Sequence, residues 1–208
     1  MKKLFIILLI GLLLVSCKKE RTIHITAKNA ATGQGYAGLG FVLRETKGYV
    51  TSSGEVQKKV YEGTLNTQGE AVFNYKLKNN RSYVLTTLVP DEELCYINNT
   101  SYTLANTDDN FKFDFRFAEC AYLKLNIHNV NCIDANDYIE YRRLGLSIAE
   151  TNNFVQIDGC FQYEGEYFAL PMGEYKYEWN VTKGGVVNSY DSIFYLTNNQ
   201  YFEFTLNY

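Results

Sequence analysis

Two stretches decide the fold: Phe111-Lys112-Phe113-Asp114-Phe115-Arg116-Phe117, and Phe202-Glu203-Phe204-Thr205-Leu206-Asn207-Tyr208 at the C-terminal end. In each, every second residue is apolar and the residues between are polar or charged. Successive side chains of a strand point to opposite faces, so this alternation marks a half-buried β-strand. The rest of the chain carries the same bias. Tyr 18 and Phe 13 are high counts, Pro is scarce at 2, and Gly, Asn and Thr break the apolar runs. Aromatic and β-branched residues fit a pleated, half-buried surface. Only Ala135 to Leu144 raises the question of a helix, and Ile139 and Tyr141 there fit an alternating strand equally well.

The two strands close an internal repeat with an offset of about 92 residues. Ser82 to Phe117 parallels Glu174 to Tyr208. Tyr102-Thr103-Leu104 answers Phe194-Tyr195-Leu196. Asn106-Thr107-Asp108-Asp109-Asn110 and Asn198-Asn199 supply a turn in each copy. The openings correspond too: Ile23-His24-Ile25-Thr26-Ala27 resembles Leu123-Lys124-Leu125-Asn126-Ile127. The expectation is an all-β chain of two tandem antiparallel β-sandwich domains, 22–118 and 119–208, each near the size of one sandwich.

The first half resembles the transthyretin-like, carboxypeptidase-regulatory-like sandwiches, in the broader immunoglobulin-like class. The residues that carry the likeness are the strand Ile23 to Ala27, the Thr32-Gly33 turn, Gly38-Leu39-Gly40-Phe41-Val42, the Thr67-Gln68-Gly69 turn, Ala71-Val72-Phe73 and Tyr83-Val84-Leu85. The resemblance implies a non-catalytic module of exported proteins, serving scaffolding or binding.

The N-terminus reads as an export signal. Met1-Lys2-Lys3 is basic, Leu4 to Val15 is apolar, and Ser16 is small. Twelve helical residues rise about 18 Å against a bilayer core of about 30 Å, too short to span it. Leu14-Val15-Ser16-Cys17 resembles the lipobox of bacterial lipoproteins. The likeness implies removal of the signal peptide 1–16, acylation of Cys17, and a lipidated tether over 17–21. Lys18-Lys19-Glu20 resembles the start of Bacteroidota-type outer-membrane lipoproteins, which implies an outer-membrane anchor facing the cell exterior.

Removing Lys2 and Lys3 from the 20 basic residues leaves 18 against 23 acidic ones, a net charge of −5. A nucleic-acid binder would show a basic patch or stripe; none is visible, so no nucleic-acid partner is expected. The expected partners are the membrane, through the lipid on Cys17, and an outer-membrane protein complex or a glycan. No catalytic residue, metal ligand set or cofactor motif stands out. His24 and His128 lie on first strands facing outward, with no orienting group nearby in sequence. Asp134, Asn136 and Asp137 read as a plain turn, since their spacing departs from the EF-hand loop. Tyr175, Tyr177 and Trp179 alternate along one strand. Exposed, they would form a platform for sugar rings; buried, they are core. Tyr163 and Tyr167, beside Glu164 and Glu166, form a second such candidate.

Four cysteines remain after Cys17, and an even number in an exported chain favours disulfides. Cys120 and Cys132 bracket the strand Tyr122 to Asn129. At about 3.3 Å per residue they lie near 40 Å apart, too far to bridge. If Leu94 to Leu104 and Asn110 to Ala118 form a hairpin, Cys95 falls opposite Glu119. This favours Cys95 with Cys120 and leaves Cys132 with Cys160. Four free thiols are the alternative. Mass spectrometry of the N-terminal peptide from native membranes is expected to find Cys17 acylated at the new N-terminus; an unmodified Cys17 or a cleavage elsewhere refutes the anchor.

Overall fold

The computed structural model describes residues 20–47, 57–78, 80–104, 110–146 and 153–208. The export signal, Cys17 and the Asn106 to Asp109 turn lie outside the described residues. Those described form strands and no helix. In the first repeat the strands are β1 (Glu20–Asn29), β2 (Gly40–Lys47), β3 (Lys58–Thr64), β4 (Glu70–Lys76), β5 (Arg81–Thr87), β6 (Leu94–Ile97) and β7 (Ser101–Leu104). Strand β8 (Asn110–His128) continues into the second, followed by β9 (Tyr138–Leu144), β10 (Val155–Asp158), β11 (Gln162–Glu164), β12 (Phe168–Pro171), β13 (Gly173–Lys183), β14 (Val186–Leu196) and β15 (Tyr201–Asn207). The ambiguous stretch before Leu144 is therefore strand.

The repeat reappears as topology. One sheet runs β3-β2-β5-β7 and another β10-β9-β13-β14, the same order with each strand replaced by its counterpart. In the remaining sheet, β4 and β8 flank β1, while β11, β12 and β15 pair with the C-terminal part of β8. Pairing fixes the equivalences. Ile23 faces Phe73 as Leu123 faces Phe168. Phe41 faces Gly63 and Thr87 as Tyr141 faces Val155 and Trp179. One expectation needs correction: the sandwich is not wholly antiparallel, because β15 runs parallel to β8, with Phe202 beside Leu123.

The chain divides into two compact units that are interleaved in sequence. One comprises residues 1–26, 37–88 and 100–114; the other comprises 27–36, 89–99 and 115–208. In the first unit Ile23, Ile25 and Phe113 of one layer and Phe41, Leu43, Tyr83 and Leu85 of the other are buried. Ring contacts join the layers, Phe41 with Phe73 at 5.5 Å between centroids and Tyr102 with Phe113 at 5.1 Å. In the second unit Leu123, Ile127 and Leu206 pack against Ile139, Tyr175, Tyr177 and Leu196. Burying a large apolar side chain contributes roughly 1.5–3 kcal/mol, which is why alternation along each strand decides which face turns inward.

The expected hairpin of Leu94 to Leu104 with Asn110 to Ala118 does not form. Only β6 pairs with β8; β7 joins β5, with Tyr83 opposite Leu104. Leu94 faces Glu119 and Tyr96 faces Ala118, so Cys95 occupies the bulge between them. The structure bonds Cys95 to Cys120 with Cα atoms 4.9 Å apart, and Cys132 to Cys160 at 5.4 Å. Both lie within the second unit. The first closes a sequence separation of 25 residues, for which restricting the unfolded chain stabilises by about 3 kcal/mol. Replacing Cys95 and Cys120 together by Ser is expected to lower unfolding free energy by about that amount. Non-reducing peptide mapping should recover the two linked peptides. Any crossed linkage, or a double variant as stable as the parent, contradicts the pairing.

Candidate functional site

The aromatic row needs correction first. Tyr175 and Tyr177 are 0% and 1% exposed. The Tyr175 hydroxyl donates to the Pro171 carbonyl at 2.6 Å, and the Tyr177 ring packs against Phe204 at 4.9 Å. Trp179 is half-buried and stacks on Tyr190 at 5.6 Å, beside a shallow depression of about 310 Å³. Parity explains the outcome: odd-numbered residues of β13 face the core, so the row forms no open platform.

The second unit carries a crevice of about 370 Å³ at the edge of its two layers. One wall is Leu125 of β8 with Tyr163, Gly165, Glu166 and Phe168; the other is Tyr141, Arg142 and Arg143 of β9 with Asn153 and Val155. The break between β11 and β12 opens it. Glu164 pairs with Asn126 and Phe168 with Leu123, so Gly165, Glu166 and Tyr167 oppose only Lys124 and Leu125. Such bulges re-aim side chains. Gly165 is required there, because a Cβ would collide with the Leu125 carbonyl oxygen. The Arg143 guanidinium lies over the Phe168 ring at 5.4 Å and the Tyr175 ring at 5.8 Å. The neighbouring Arg142 donates to Glu178 on β13 at 2.6 Å. Burial raises the Tyr141 pKa, the Tyr163 ring raises it further, and Arg143 opposes them. Sequence reasoning found Tyr163 and Glu166 but missed Arg143, Asn153 and Phe168, which lie far apart along the chain.

Two buried polar clusters hold the ends of the first strands of the repeats. Asn29 accepts hydrogen bonds from the Ala31 and Thr32 amides, each 2.9 Å, and donates to Glu119. Glu119 also accepts from the Tyr36 hydroxyl at 2.7 Å, and burial followed by that contact pushes the Tyr36 pKa well up. At the equivalent place, Asn129 donates to Asp137 at 3.4 Å and accepts from Lys183 Nζ at 2.8 Å. Asp137, 0% exposed, accepts from the Ile133 amide at 2.8 Å. The Asp134 side chain accepts from the Asn136 amide at 2.7 Å, so Asp134 to Asp137 is a turn. His24 is half-buried. His128, read as unpartnered, has Nε2 2.7 Å from the Glu164 carboxylate across the β11–β8 pair. Among the described residues no group of three or more His, Cys, Asp or Glu is placed to hold a metal ion.

No family model matches the chain, and no curated protein matches it. Solved structures similar to it include the Bacillus anthracis TIE protein and Gram-positive pilins. The Bacillus anthracis TIE protein shares 16% identity over 91% of this chain and 34% of that one, with a TM-score of 0.38. The chain thus spans about a third of that protein's length. A variant of the shaft pilin SpaA from Lactobacillus rhamnosus GG shares 10% identity over 91% and 98% of the two chains, with a TM-score of 0.38. The Streptococcus agalactiae minor pilin GBS52 shares 11% over 90% and 94%, with a TM-score of 0.33. Likenesses this distant set neither family nor function.

The Asp137 cluster is open to titration. The Ile133 amide foremost, then the Asn129 side chain and Lys183, hold its carboxyl below its ordinary range, against the opposing effect of burial. A depressed folded-state pKa contributes stability that is present above the unfolded value of about 4 and is lost as pH falls through the folded value. Thermal unfolding is expected to show Asp137→Asn destabilised at pH 7 and closer to the parent at pH 3. An equal deficit at both pH values contradicts this reading.

Proposed function

We propose that this chain is a non-catalytic surface scaffold: two tandem transthyretin-like or immunoglobulin-like β-sandwich repeats, 22–118 and 119–208, carried on the outer membrane by acyl chains on Cys17. The observation that supports it best is the duplicated strand order β3-β2-β5-β7 and β10-β9-β13-β14. Both copies bury aromatic residues at matching core positions, Tyr83 in the first and Tyr175 in the second. Two or more acyl chains hold a protein stably on a membrane, at about 0.8 kcal/mol per buried methylene. The partner is an outer-membrane protein complex or a glycan. A glycan reading no longer rests on Tyr175 and Tyr177, which are core.

Protease added to intact cells is expected to digest the protein, and Cys17→Ala is expected to leave the membrane fraction. Purified protein is expected to turn over no glycoside, ester or peptide substrate. Protection inside intact cells refutes surface display, and turnover that tracks the purified protein refutes the non-catalytic scaffold.

A further inference from the structure

Strand β14 is an edge of the sheet β10-β9-β13-β14, and among the described residues it pairs with β13 alone. An edge strand presents a row of unpaired amide and carbonyl groups to any chain laid beside it, and folded proteins blunt such edges with short strands, charges, prolines or bulges. The other three edges of the two repeated sheets carry these devices. Strand β7, the counterpart of β14 in the first repeat, has four residues. Strand β3 carries Lys58, Lys59 and Glu62, and its pairing shifts register between Leu43 and Arg44 of β2. Strand β10 has four residues and ends on Asp158.

Strand β14 carries none of them. It runs 11 residues in unbroken register with β13 and holds no lysine, arginine or proline. Its one charge, Asp191, lies 3.6 Å from Lys176 Nζ on β13. Val186, Val187, Tyr190 and Ile193 are each at least 50% exposed. The strand is also a palindrome in character. Val186-Val187-Asn188-Ser189-Tyr190-Asp191-Ser192-Ile193-Phe194 reads two apolar, two polar, tyrosine, two polar, two apolar in either direction.

A two-fold contact asks for that symmetry, because residue i meets residue j and j meets i. A two-fold axis normal to the sheet lays two edge strands antiparallel with their faces matched. With the axis at Tyr190, Val187 faces Ile193 of the second copy, Val186 faces Phe194, Asn188 faces Ser192, Ser189 faces Asp191, and Tyr190 faces Tyr190. Moving the axis to Asp191 sets Asp191 against Asp191 and Ile193 against Ser189. Moving it to Ser189 sets Val187 against Asp191. Apolar pairs directly across two strands stabilise them and like charges destabilise them, so the register at Tyr190 wins.

We infer that β14 docks against β14 of a second copy of this chain, with the two-fold axis at Tyr190, joining their sheets into one antiparallel sheet. Main-chain hydrogen bonds supply the affinity of such strand addition, and matched side chains set the register. Trp179 of β13 holds Tyr190 in place, its ring stacked on the tyrosine at 5.6 Å. The contact goes beyond the scaffold role and does not depend on the lipid anchor. One paired strand is a small interface, so the dimer depends on concentration.

The test is sedimentation velocity of the full-length protein, purified in detergent, over a concentration series. The parent is expected to pass from monomer to dimer as concentration rises. Val187→Lys with Ile193→Lys sets lysine against lysine across the pair and is expected to weaken dimerisation at least tenfold. Val187→Glu with Ile193→Lys sets opposite charges there and is expected to restore it. Both positions are exposed, so the unfolding temperature is expected to stay unchanged. Tyr190→Cys is expected to form a disulfide between copies on mild oxidation, because facing Cα atoms of paired strands lie about 4.5–5.5 Å apart, within disulfide reach. Comparison with the parent separates this link from any made through Cys17. A parent monomeric at every concentration, a lysine pair that dimerises as the parent does, a Glu and Lys pair that fails to restore the dimer, or a Tyr190→Cys variant no more linked than the parent overturns the inference.

Discussion

The parity of one strand governs this protein. Strand β8 runs 19 residues without interruption, and its odd-numbered side chains from Phe111 to Ile127 turn toward the core throughout. A shift of one residue would bring Lys112, Asp114, Arg116 and Lys124 inward, at several kcal/mol for each unpaired charge. Around residues 118–121 both faces are covered, and Ala118, Glu119, Cys120 and Ala121 are all buried. Small residues fit there, and Glu119 is accommodated because Asn29 and Tyr36 supply its hydrogen bonds. The partners of β1, β4, β6, β11, β12 and β15 follow from that fixed register.

Much of this was legible in the sequence because alternation is local. The final strand, the turns at Gly33 and Gly69, both with positive φ, and the duplicated openings needed only neighbouring residues. Pairing is not local. Leu94 to Leu104 reads as one arm of a hairpin, yet the chain changes layers between Ile97 and Ser101, and β7 finds β5. The preference of Leu104 for the core is met equally well on either partner, so composition could not choose. The disulfide partner of Cys95 emerged from that incorrect hairpin because β6 lies on β8 in almost the expected register; the bulge supplied the missing residue.

The crevice was illegible for a related reason. Its polar residues are contributed by β9, the approach to β10, and the gap between β11 and β12. None of these forms a motif with its sequence neighbours. Tyr175, Tyr177 and Trp179 looked more suggestive because they alternate along one strand, and alternation is also how a strand fills a core. A row of aromatics on one face therefore carries no information about exposure until the partner layer is known. Here Phe202 and Phe204 of β15 in the facing layer cover it.

Duplication separates what the fold needs from what one copy has added. Positions that keep their character across the repeats, such as Ile23 with Leu123, Tyr83 with Tyr175 and Asn29 with Asn129, are those whose burial or hydrogen bonds close the layers. Tyr83 and Tyr175 are both 0% exposed. Where character changes at an equivalent edge position, the contacts that hold the residue change with it. Leu43 and Arg143 are such a pair, and the arginine has exchanged apolar contact for a guanidinium stacked on Phe168 and Tyr175. Cation–π contacts contribute about 0.5–2 kcal/mol, comparable to the burial of the leucine they replace. The second copy can therefore carry a charge at its layer edge with little loss of stability, which frees that edge to differ from the first.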